Sequence, residues 1–181
     1  MRVVVAALAS AIALFFFGFL WWGVSMPALQ LAGVIEDQTV VDSMSSAFKE
    51  SGIYFYPDPS KEPGEATGPM AILYYTAKVP EMGATMGMGF GHMLLTALGV
   101  TLFVHSMKFQ TFSERFRFVC CLGVFLALWA DIGNMIWWHH PTTWAIYHFG
   151  YDVLSWVVAG AIIAAILKPV SREADGSPAA A

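Results

Sequence analysis

From Val3 to Val24 the chain runs without a charged residue, and three further apolar stretches follow, near Gly87 to Met107, Arg117 to Trp138 and Trp144 to Leu167. At about 1.5 Å of rise per residue, each is long enough as a helix to cover a hydrocarbon core of about 30 Å. The pattern predicts an all-α integral membrane protein, a bundle of four transmembrane helices. The connections between the last three stretches are short, so consecutive helices should lie antiparallel. Trp21 and Trp22, then Trp137 and Trp138, then Trp144 fall at one predicted interface, as an aromatic belt should. The first stretch is longer than the usual apolar core of a secretory signal, and Val24-Ser25-Met26 lacks the small residues a signal peptidase prefers, so it reads as a retained anchor.

Between the first and second spans the pattern changes. Asp37 can cap a helix whose apolar residues Val40, Val41, Met44, Ala47 and Phe48 recur at helical spacing, with Gly52 as its C-terminal cap. The aromatic-rich runs Ile53 to Tyr56 and Ala71 to Thr76 read as two short strands flanking the Pro- and Gly-bearing stretch 57–69. The organisation expected is a first transmembrane helix at 1–24, a small α+β helix-plus-hairpin insert at 25–82, transmembrane helices 2 to 4 at 83–168, and a disordered tail at 169–181.

Composition supports lipid as the surrounding solvent: 57% of residues are hydrophobic and only 12% charged, against roughly 25% charged in soluble domains. The sign and placement of the charges set the orientation. Arg2, Lys108, Arg115, Arg117, Lys168 and Arg172 lie on one side, and Lys49, Lys61 and Lys78 on the other. The positive-inside rule then puts both termini and the 108–117 loop in the cytoplasm and the insert outside, as in a multi-pass protein of a cell inner membrane. Eight acidic residues (Glu36, Asp37, Asp42, Glu50, Asp58, Glu62, Glu65, Glu81) make the insert net negative. With a net charge of -4 and no basic arm, nucleic acid is not an expected partner; the lipid bilayer is, with a homo-oligomer or a larger membrane complex beside it. Cys120 and Cys121 adjoin on a predicted helix, cannot form a disulfide with each other without distorting the backbone, and read as apolar filling.

Two features of the spans bear on chemistry. Gly83, Gly87 and Gly91 form overlapping GxxxG steps, which predict a close helix crossing, within the chain in preference to a dimer interface. Ionisable groups inside the spans are costly and so informative. Asp131 and Asn134 lie one turn apart in the third span, and His148 and Asp152 share a face of the fourth, extended by Tyr151 and Ser155. His92 lies near the start of the second, and His139 and His140 stand at the rim. Counted from the span ends, His92, Asp131, Asn134, His148 and Asp152 all fall in the outer half of the membrane and define a candidate polar pocket.

A set of His92, His148, Asp131 and Asp152 suits a transition metal such as zinc, copper or iron. Met82, Met86, Met88 and Met93 beside His92 add a reason for copper, and His92 with His148 could serve as axial ligands of a haem. The functional expectation is a non-enzymatic accessory subunit or binding protein, using this pocket for helix cohesion or a small cationic ligand. The alternatives are a metal- or haem-dependent redox membrane enzyme or its anchor, and a proton-coupled small transporter acting as an oligomer. No GxSxG elbow, phosphate loop, HExxH motif or CxxC pair occurs.

Overall fold

The computed structural model describes residues 1–24, 31–58, 60 and 69–168. The segment 169–181, expected above as a tail, lies outside the described residues, as do 25–30, 59 and 61–68.

Four helices are long and apolar enough to cross a membrane: Arg2–Val24, Met82–Ser106, Phe112–Trp137 and Thr142–Ile166. The first comprises α1 (Arg2–Gly18) and a π-helical turn over Phe19–Val24. A short helix α2 (Gln38–Ala47) and the strands β1 (Gly52–Tyr56) and β2 (Ala71–Tyr75) come next, followed by α3 (Met82–Ser106). The third long helix is α4 (Phe112–Ala127), a π-helical turn over Leu128–Ile132, and α5 (Gly133–Trp137); the fourth is α6 (Thr142–Ile166).

The chain divides into two compact units, a smaller one within Leu29–Gly87 and a larger one holding the long helices. In the smaller unit the carboxylate of Asp37 accepts from the Thr39 amide at 2.8 Å and from the Thr39 hydroxyl at 2.6 Å, which satisfies one of the orphan donors at the start of α2. The helix stops at Ala47, where Phe48 turns to an extended backbone. Gly52 therefore opens β1 instead of capping α2. The strands pair antiparallel with Tyr54 opposite Leu73, and the Phe48 ring packs on Tyr54 at 4.3 Å and on Tyr75 at 5.5 Å.

The hydrogen bonds from Thr39 hold the Asp37 carboxyl below its ordinary value of 3.8. A carboxylate lowered in the folded state stabilises fully above the unfolded pKa, and its contribution vanishes as pH falls through the folded one. The Thr39 amide resonance should therefore titrate with a midpoint below 3.8, and α2 should fray as that midpoint is passed. A midpoint at or above the ordinary value would show that the cap does not form.

In the larger unit all four long helices contribute to one core. Ala6 of α1, Val104 of α3, Val119 of α4 and Ala159 and Ile163 of α6 are buried together. A second cluster joins Ala7 and Ala11 to Ala97, with Phe90 and Met93 beside it. Small residues carry the close approaches: α1 buries Ala6, Ala7, Ser10, Ala11 and Gly18 along one face, and α4 crosses α6 where Gly123 meets Trp156 and Gly160 meets Val119.

The glycines singled out in the sequence do not share in this packing. A side chain added at Gly83, Gly87 or Gly91 would meet nothing within 4 Å, so the close crossing falls on Gly123 and Gly160 instead. For Gly91 the reason is angular. At about 100° per residue, Gly91 lies about 120° around the helix from Ala97, which heads the buried Ala97, Thr101 and Val104 row.

The third long helix also begins earlier than its apolar run. Thr111 and Glu114 form a reciprocal capping box, with the Glu114 amide donating to the Thr111 hydroxyl at 3.1 Å and the Thr111 amide to the Glu114 carboxylate at 2.9 Å. Arg115 is thereby carried onto a helix and is buried, its Nε donating to the Ala164 carbonyl at 3.3 Å and its Nη1 to the Phe109 carbonyl at 3.1 Å. A guanidinium here ties the start of α4 to the last turn of α6, where carbonyls lack helical partners.

Candidate functional site

The end of the larger unit that carries Trp21 and Trp22 is built on aromatic rings. The π-helical turn of α1 presents both tryptophans to the first turns of α6, and the Tyr147 hydroxyl donates to the Trp21 carbonyl at 2.8 Å. Trp22 packs against Tyr147 at 5.1 Å, Tyr151 at 5.4 Å and Trp144 at 6.0 Å. His148 completes this group, its ring 4.7 Å from Trp22 and 4.7 Å from Trp144. Its Nε2 is buried and has no hydrogen-bond partner among the described residues.

One turn deeper along α6, Asp152 opens onto a cavity of about 140 Å³ between α1, α3 and α6. Its polar walls are His92 and Thr96 of α3 and Tyr151, Asp152 and Ser155 of α6; Leu14, Met93 and Trp156 supply apolar wall. His92 and Thr96 are four residues apart, as are His148 and Asp152, so each helix turns a polar pair in one direction. The Tyr151 hydroxyl lies beside Gly18, where an added Cβ would approach it to 3.0 Å, so the small residue on α1 makes room for the phenol.

Asp131 belongs to the π-helical turn of the third long helix, which packs on α6. It is only 7% exposed, and its Oδ2 has no hydrogen-bond partner among the described residues. His92 and Asp152 therefore share a cavity, and Asp131 stands on the turn that packs against α6, the helix that carries His148 and Asp152.

The Asn134 carbonyl accepts the His140 amide at 3.4 Å, but its side chain makes no hydrogen bond to these residues among the described residues. It lines a groove along its own helix with Trp129, Trp137 and Trp138, and its carbonyl ends the helix by accepting the Trp138 amide at 3.0 Å.

The donors suggested for metals are dispersed. Among the described residues no three His, Cys, Asp or Glu side chains are grouped as a metal-binding set. Met82, Met86 and Met88 are exposed, whereas Met93 packs with Ala7, Ala11 and Ala97. Sequence reasoning missed Thr96, for which the four-residue spacing from His92 was a usable signal, and missed the rings around His148, for which only the aromatic richness of both segments pointed the way.

The four apolar helices are compatible with a multi-pass membrane protein, and three of them enclose the cavity that holds His92 and Asp152. No family model, curated protein or solved structure matches the chain.

Proposed function

We propose that this is a four-span inner-membrane protein, with both termini in the cytoplasm, that binds a small organic cation between α1, α3 and α6. The observation that carries the reading is the cavity holding Asp152 and His92 with aromatic walls from Tyr151 and Trp156. Carboxylates attract a cation, and aromatic faces favour one that is weakly hydrated, such as a substituted ammonium. The size agrees: about 140 Å³ lies well below the roughly 300 Å³ at which pockets for drug-sized ligands begin. A porphyrin would not fit it. With no metal-like grouping of ligands among the described residues, an organic cation suits the site better than zinc or copper.

Tetramethylammonium is the direct probe, titrated against the detergent-purified chain with the indole and imidazole resonances as the readout. Saturable binding is expected, weakened about tenfold to a hundredfold by Asp152→Asn, the scale of one hydrogen-bonded or paired charge. Circular dichroism should show the helices unchanged in that variant. Binding that is absent from the native chain, or that survives the substitution at full strength, would refute the proposal. A second reading, proton or ion passage through an oligomer, draws on the unpartnered Asp131 Oδ2 and His148 Nε2. It predicts ion flux in liposomes without saturable ammonium binding.

A further inference from the structure

We infer that the opposite end of the helices carries a site for the phosphate of an anionic phospholipid. Four cationic or protonatable side chains, His105, Lys108, Arg115 and Lys168, line a single recess floored by Val104 and Leu167. They come from three places far apart in sequence: the last turn of α3 and the residues after it, the first turn of α4, and the residue beyond the end of α6.

Positive charge near a membrane face needs no convergence, because a basic loop anywhere satisfies the orientation rule. Arg2 and Arg117 show the contrast, since both are exposed and neither lines the recess. Among the described residues no carboxylate is ion-paired with any of the four. Glu114, next to Arg115 in sequence, is committed to the amides of Gln110 and Thr111 at 2.8 and 2.9 Å. Among the described residues the convergent charge thus has no ion-paired carboxylate, which leaves it open to an external anion.

The geometry also sets the kind of anion. The enclosed part of the recess is about 10 Å³, the room of a single water or one phosphate oxygen. Arg115 is held rigid by its two carbonyl bonds through Nε and Nη1, so the rest of its guanidinium is preorganised at the wall. Lys108 and Lys168 are exposed at the mouth and free to fold over the other oxygens. One oxygen seated in the recess leaves the esterified side of the phosphate outside, toward the lipid. Basic pockets between spans on the cytoplasmic side hold anionic headgroups by this combination of charge and depth.

The inference rests on the bilayer-spanning reading, and the experiment separates the two. The full chain is reconstituted into nanodiscs of phosphatidylcholine with a minor share of phosphatidylglycerol, and the lipids retained on it are identified by native mass spectrometry. Retention of phosphatidylglycerol over phosphatidylcholine is expected, falling about thirtyfold in the Lys108→Gln, Lys168→Gln double variant. The Arg2→Gln, Arg117→Gln double variant removes the same charge from the same end and should keep the preference. Equal loss in both variants would overturn the site in favour of diffuse attraction, and displacement of the lipid by millimolar inorganic phosphate would overturn the lipid as its occupant. A chain that fails to enter nanodiscs refutes the bilayer-spanning reading instead. One that enters and shows no lipid preference refutes only this site.

Discussion

Gly123→Ala is expected to loosen α4 from α6 and to cost the folded chain about 3 kcal/mol, the upper end of what overpacking in a close-packed interior produces. The added methyl would occupy the place held by the Cβ and indole base of Trp156. Those atoms are bound to the α6 backbone and cannot turn away as the end of a flexible side chain would, so the helices must part. The loss weighs more in lipid than in water, because no hydrophobic force drives two helices together there and contact itself supplies the association. Unfolding of the purified chain in mixed micelles by increasing SDS measures the effect. Combining the change with Trp156→Ala should recover little, because the Trp156 Cβ, the nearest obstructing atom, remains on α6. A single variant as stable as the parent would mean that α4 and α6 do not cross at this glycine.

How far such features were legible in the sequence depended on the range of the interaction that creates them. The apolar runs marked all four long helices, because length and absence of charge are local properties. Asp37, the α2 periodicity and the β-rich runs of the hairpin were readable for the same reason. The Thr-x-x-Glu box at Thr111 was equally local, yet the start of the helix was sought at the edge of the apolar run, five residues late. Arg115 looked like an ordinary cytoplasmic charge because its partner, the Ala164 carbonyl, is 49 residues away.

The polar site shows the same division. The four-residue spacing of His148 and Asp152 placed them on one face without any knowledge of their neighbours. That His92 meets Asp152 in one cavity, and that Trp22 and Trp144 flank His148, depends on how α1 and α3 lie against α6. That Asn134 lines a groove with Trp129, Trp137 and Trp138 of its own helix was not legible from its three-residue spacing to Asp131. The glycine row of α3 was misleading in the opposite sense. Glycines at fourth positions permit a close crossing, but the face a helix buries is chosen by its neighbours.

Asp131→Ala separates a binding role from a structural one, and it is expected to stabilise the chain. The carboxylate is buried with one oxygen unpartnered, and leaving a buried polar group unmade costs about 1–3 kcal/mol. Removing it should return an amount of that order, while tetramethylammonium binding weakens because the turn packed against α6, the helix that carries Asp152, loses its acidic group. Stability and binding then move in opposite directions, as they do where a protein holds an unfavourable group for the sake of a ligand. If Asp131 were instead cohesion between helices, both would fall together, because the remaining partner would be left buried and uncompensated. The SDS midpoint and the ammonium titration, taken on one preparation of the variant, therefore discriminate by the sign of one against the other. A lowered midpoint would end the case for Asp131 as part of a binding pocket.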